Sequence, residues 1–109
     1  VKLSEYQAQA RRTLTLGPPV ETVLAIAGLG LAGESGEVVE LIKKFVGHGH
    51  ELNRLKLRAE LGDVLWYVAA IASAVGLDLD DVAEGNVAKL KLRYPDGFSP
   101  EASKARGDL

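Results

Sequence analysis

Apolar residues recur along this chain in four blocks with helical spacing, separated by short runs of glycine, proline and polar residues. The first block runs from Ser4, a residue of N-cap type, to Leu16, where Gly17, Pro18 and Pro19 end it. The second runs from Val20 to Val46 and is broken by the glycines of "GHGH" at 47–50. The third spans Leu52 to Val75 and closes at Gly76, and the fourth starts near Asp78, a cap followed by first-turn acids, and ends at Arg93 before "YPDGFSPE". Period-two alternation is absent, so the pattern predicts an all-α fold of four helices with no strands. The helical domain covers residues 1–98. The tail, 99–109, "SPEASKARGDL", is small and polar and is expected to be poorly ordered.

The third block asks for the most burial, because no charged residue stands between Val64 and Gly76 and the helix is apolar nearly all round. Three short neighbours cannot cover it in so small a chain. The excess predicts a homodimer or homotetramer sharing a helical core.

An acidic pair, Glu60 and Asp63, nevertheless opens this apolar stretch, with Tyr67 one turn beyond Asp63. Acids in a first turn favour the helix dipole by roughly 0.3–1 kcal/mol each, whereas desolvating unpaired carboxylates costs several kcal/mol. The second block carries a matching pair. Leu31, Val38, Leu41, Ile42 and Phe45 form its apolar face, Glu34 falls inside the edge of that face and Glu37 lies beside it. Glu40 points outward and has Lys43 and Lys44 at i+3 and i+4, the pattern of a solvated, salt-bridged face. If the two helices pack antiparallel, Glu34, Glu37, Glu60 and Asp63 meet in one pocket, and a divalent cation relieves their repulsion.

Composition narrows the ion. There is no cysteine, which excludes disulfides and thiolate zinc sites, and an all-oxygen set favours Mg²⁺ or Mn²⁺. Mg²⁺ commonly acts with substrate phosphates, which points to phosphate transfer or hydrolysis. A chain of 109 residues with net charge −2 is one domain with no global attraction to a nucleic acid polymer or a membrane. The N-terminal residues lack the apolar core of a signal peptide, so a cytoplasmic location is expected.

A rival motif lies in "VLAIAGLGLAG", where Gly28, Gly30 and Gly33 satisfy G-x-G-x-x-G. A dinucleotide site needs a strand before these glycines and another after the following helix, and nothing here supplies either. The small residues Gly28, Ala32, Gly33 and Gly36 are better read as allowing a close approach by a helix or ligand.

The arrangement E-x-x-E at Glu34 and Glu37, a 22-residue spacer and E-x-x-D at Glu60 and Asp63 resembles the MazG-like all-α nucleoside triphosphate pyrophosphohydrolases. "GLAGESGEV", "ELGDVLWYVA" and "NVAKLKLRYPDGF" extend the resemblance over roughly Leu29 to Phe98. One departure is Gly33, where many members carry a further glutamate. The resemblance implies Mg²⁺-dependent hydrolysis of a nucleoside triphosphate to its monophosphate and pyrophosphate, a chemistry suited to cleansing the nucleotide pool, with Glu34, Glu37, Glu60 and Asp63 as metal ligands. Glu37, and next Glu34, are the candidates for handling the proton of the attacking water. Asn86, Lys89 and Arg93 share one stripe of the fourth helix and, by resemblance, hold phosphates; taken alone, such a stripe is more often a solvated face. Tyr67, and less so Trp66, could wall the base. Tyr6 and Gln7 complete the base pocket on resemblance only, and His48 and His50 lie in a glycine loop near the substrate. The competing class is a non-enzymatic helical binding module with a structural metal.

Overall fold

The structure, a computed structural model, describes residues 1–15, 17 and 19–105. Five helices are present among them: α1 Leu3–Arg11, α2 Val20–Gly47, α3 Arg54–Ala74, α4 Leu79–Arg93 and α5 Pro100–Ala105. The helices expected from Val20, Leu52 and Asp78 appear with ends shifted by two residues or fewer. There is no strand among the described residues, and the glycines of the G-x-G-x-x-G match lie inside α2, which removes the dinucleotide reading.

Two expectations are corrected. The first helix begins at Leu3, not at a Ser4 cap, with the Glu5 carboxylate accepting the Lys2 backbone N–H at 3.3 Å. It ends at Arg11, because the chain tightens into i→i−3 bonds from Arg12, Thr13 and Leu14, and the Thr13 hydroxyl donates to the Ala10 carbonyl at 2.7 Å. Leu16 lies outside the described residues. The tail also contains structure. Ser99 Oγ accepts the Ala102 N–H at 3.0 Å, Pro100 takes the first helical position and Glu101 the first turn, so "SPE" starts α5. Residues 106–109 lie outside the described residues.

Helices α2 and α3 form an antiparallel hairpin. In its connection, Gly49 adopts a φ of 71°, the left-handed region that favours glycine, and Asn53 caps α3 by accepting the Lys56 N–H at 3.0 Å. The two helices meet tightly at Gly30, where any Cβ would collide with the Tyr67 ring. Gly28, Gly33 and Gly36 face open space, so the close contact expected of that series occurs at the one glycine it left out.

Helix α1 crosses the C-terminal half of α3. Ala10, Ala69, Ala72 and Leu79 form a buried cluster with Tyr6, Trp66 and Val68 packed against it. Gln7 fastens the crossing. Its Nε2 donates to Leu77 O at 2.8 Å and to Ser73 Oγ at 3.2 Å, while its Oε1 accepts the Leu79 N–H at 2.9 Å. Trp66 Nε1 donates to Thr13 Oγ1 at 2.8 Å. Beyond Gly76 the chain turns, and α4 leaves α3 at 106° and packs on α1.

The expectation that α3 is buried along its length holds for half of it. Ala69, Ala70 and Ala72 are buried, whereas Leu55 is 77 % exposed and Leu61 51 %. On α2, Ile26, Leu29, Val39 and Val46 are exposed; by length and composition this helix could cross a membrane. The chain is open for its size: its radius of gyration is 16.9 Å, against about 13 Å for a compact domain of this length. Its accessible surface is 7904 Å², against about 5,800 Å² for a folded monomer of this mass.

Candidate metal centre

Half-buried Glu34 comes from the middle of α2, and Glu60 and Asp63 come from successive positions on one side of α3. The hairpin brings them together. One carboxylate oxygen from each of Glu34, Glu60 and Asp63 lies within 4.8 Å of the other two. Helical geometry supplies the i, i+3 pair, and the Gly30–Tyr67 contact one turn away sets how closely the second helix approaches.

The electrostatics is that of an uncompensated cluster. Desolvation pushes the Glu34 carboxyl above the usual carboxylate range, and a hydrogen bond with Glu60 and the charges of Asp63, Glu60 and Glu37 add to the rise. The Tyr6 hydroxyl is also raised, by desolvation and by the nearby charge of Asp63, so the start of α1 borders the same site.

These residues fit a hard divalent ion. The donors are all oxygen, and six-coordinate Mg²⁺ at about 2.0–2.1 Å places opposite ligands about 4.2 Å apart. The three oxygens here all lie within 4.8 Å of one another, a spread that a small side-chain movement brings to such a shell. Binding an ion would offset the repulsion among these carboxylates.

The remaining sequence-predicted residues sort by position. Glu37 is exposed one turn beyond Glu34; it acts on Glu34 through its charge but is not one of the three converging carboxylates. Glu40 pairs with Lys43 at 3.1 Å, and that ammonium holds its carboxyl below the usual range, as expected of an outward face. Tyr67 is half-buried, stacked on Gly30 and edge-on to Trp66 with ring centroids 5.0 Å apart, so the aromatic pair forms the packed floor beside the acids. Gln7 bonds its amide across the α1 crossing. His48 and His50 are exposed in the hairpin connection. Asn86 and Lys89 are exposed on α4, with Arg93 half-buried one turn further on. Lys89 makes no ion pair among the described residues, and the charges acting on Glu34 are all acidic.

A family model for the MazG nucleotide pyrophosphohydrolase domain matches residues 24–98, a span that contains all four predicted acidic positions and the α4 stripe. The chain belongs to this MazG family. Among curated proteins it is similar to "Gene 37 protein" of Mycobacterium phage L5, 40 % identical over 78 residues that cover 68 % of each chain. No solved structure matches. MazG membership and the all-helical fold agree, and a carboxylate cluster able to take a divalent metal lies within the matched span.

Proposed function

We propose that this chain is a Mg²⁺-dependent nucleoside triphosphate pyrophosphohydrolase, with Mn²⁺ as a possible substitute, that cleaves between the α and β phosphates. The observation that carries this reading is the convergence of Glu34, Glu60 and Asp63 with no cation acting on Glu34, inside a MazG domain. A divalent ion bound there supplies charge neutralisation and polarises phosphate oxygens. Glu37, exposed at the rim, accepts a proton from the attacking water. The water oxygen bonds to the α phosphorus, the bond from that phosphorus to the bridging oxygen breaks, and pyrophosphate leaves. Asn86, Lys89 and Arg93 offset charge on the departing phosphates, and Tyr67 stands beside the base. The working form is a homodimer or homotetramer in the cytoplasm, with no polymeric nucleic acid or membrane partner, and nucleotide-pool cleansing is the role that fits this chemistry.

A screen of pyrophosphate release across canonical and damaged ribo- and deoxyribonucleotides, with Mg²⁺ or with chelator, tests the reading. Release that needs both nucleotide and metal is the expected result. Tight Mg²⁺ binding with no pyrophosphate from any nucleotide would favour a binding module with a structural metal instead.

A further inference from the structure

Thr13 closes α1 and holds the single tryptophan of the chain. Its hydroxyl donates to the Ala10 carbonyl at 2.7 Å, which leaves its lone pairs to accept the Trp66 indole N–H at 2.8 Å, from 53 residues away. Trp66 and Tyr67 are neighbours on α3 and so project roughly 100° apart. The first is bonded to the end of α1, and the second rests on Gly30 of α2. Their rings meet edge-on, with centroids 5.0 Å apart and planes at 86°, which ties the two sides of α3 together.

This run of contacts ends beside the acids. Tyr67 is one turn beyond Asp63 and Gly30 one turn before Glu34, at the same level of the antiparallel pair. Gly30 has no side chain to hold the Tyr67 ring in place, so the ring is steadied from its other side, by Trp66. A ring that swings away from Gly30 lets α2 shift against α3. The carboxylate oxygens of Glu34, Glu60 and Asp63, within 4.8 Å of one another, then lose their fit to one ion.

We propose that Thr13 is a positioning residue for the metal centre: acting through Trp66 and Tyr67, it sets the spacing of α2 and α3 at which Glu34 meets Glu60 and Asp63. This role rests on the divalent ion of the function proposed above, and not on the nucleotide or its hydrolysis. Groups that touch a metal ligand directly typically change affinity 10–100-fold, and Thr13 stands further back, so its effect lies at the low end, about tenfold. A side chain that only stabilised α1 would shift the folding equilibrium and leave the ion affinity of folded molecules as it was.

Calorimetric Mg²⁺ titration without nucleotide, at a temperature where every variant is folded, tests this role. Thr13→Val keeps the shape and removes the acceptor, and Trp66→Phe keeps an aromatic ring and removes the donor. Each is expected to weaken Mg²⁺ binding about tenfold, and Thr13→Ser to keep the wild-type affinity. The double variant should bind no more weakly than Trp66→Phe alone, because both changes break the same bond. Unchanged affinity in Thr13→Val, an equal loss in Thr13→Ser, or losses that add in the double variant overturn the proposal. A second measurement needs no variant. Coupling is reciprocal, so saturating Mg²⁺ should slow exchange of the one indole N–H with solvent by the same factor, about tenfold. An exchange rate indifferent to bound Mg²⁺ overturns the proposal as well. A wild type that binds no Mg²⁺ removes the metal centre and the role of Thr13 with it. One that binds Mg²⁺, shows the coupling and releases no pyrophosphate from any nucleotide overturns the proposed function and leaves Thr13 in its positioning role.

Discussion

Both halves of α3 carry apolar side chains, but the N-terminal half interleaves them with Arg54, Lys56, Arg58, Glu60 and Asp63 while the C-terminal half has no charged residue, and their surroundings in the structure are opposite. The C-terminal half packs Ala69 and Ala72 beneath α1, with Gln7 and Trp66 bonded across the crossing. The N-terminal half leaves Leu55 and Leu61 open and turns Glu60 and Asp63 toward Glu34. Small residues allow α1 to approach on one half; on the other, larger leucines beside arginines find no cover within the chain. Apolar content therefore says that a face needs a partner, while side-chain size and neighbouring charge indicate what kind of partner it can take.

The strongest way to break this contrast is Glu34→Gln. It keeps the shape of the side chain and removes one of the three converging carboxylates. Losing an outer-shell partner alone typically costs 10–100-fold at metal sites, so losing a ligand should lower pyrophosphate release by more than about 100-fold. The metal-free protein should be no less stable, since repulsion falls. The pH dependence follows from the raised Glu34 carboxyl. The folded state holds that proton more tightly than the unfolded chain, so the group's stabilising contribution is present below the usual carboxylate range and is lost as pH rises through its raised value. Thermal unfolding without metal should show this decline, Mg²⁺ should suppress it, and Glu34→Gln should flatten it. Lower metal-free stability with retained hydrolysis would sink the metal centre.

Gly30→Ala strikes the contact between α2 and α3. The added methyl meets the Tyr67 ring, which is already held edge-on to Trp66. Forcing that contact costs about 1–3 kcal/mol, and the displacement lies one turn from the acids. Denaturant unfolding should register the loss together with weaker Mg²⁺ binding. Gly33→Ala, in open space on the same helix, should show neither change.

How far the sequence carried this reading depends on the range of the interactions involved. Helix boundaries set by local caps and breakers, such as Asn53, Asp78 and Gly76, were legible, and so was the meeting of α2 and α3 carboxylates, because i, i+3 spacing fixes which side they share. The early end of α1 was hidden, since Thr13 bonds to Ala10 and also receives Trp66 from 53 residues away. The part Gln7 plays in the crossing was hidden because its partners, Ser73, Leu77 and Leu79, are brought near only by the tertiary fold. Gly30 carries its own signal: Tyr67 and Gly30 occupy corresponding levels of the antiparallel pair that brings Glu34 to Glu60 and Asp63. Glu37 marks the limit of spacing arguments, because both members of an i, i+3 pair share a side but one can stop short of the centre.

Gln7→Ala sharpens the buried half of the contrast. It removes three hydrogen bonds that join α1 to the turn before α4, and it strands the Leu79 N–H, whose residue is 3 % exposed. A loss of about 1–3 kcal/mol is expected from an unsatisfied buried donor. Amide exchange should accelerate at the start of α4 more than at the hairpin connection. Equal acceleration at both ends would mean that α1 stabilises the whole of α3 and not chiefly the half it crosses.

The smallest effect is expected at Glu40, which separates the acids of α2 into a centre and a surface. Its carboxylate is held by Lys43 at 3.1 Å on an exposed face. Exposed pairs of this kind contribute little, because solvent screens them and two long side chains must be ordered. Lys43 lowers the Glu40 carboxyl, so its contribution is present above the usual carboxylate range and is lost as pH falls through the lowered value, opposite in sign to Glu34. Glu40→Gln should therefore leave hydrolysis and Mg²⁺ affinity unchanged and the melting temperature at neutral pH nearly so, with any small loss disappearing in acid. A marked fall in Mg²⁺ affinity in this variant would show that the centre extends along α2 past Glu37, and that Lys43 holds a carboxylate in reserve for the ion instead of closing off a surface pair.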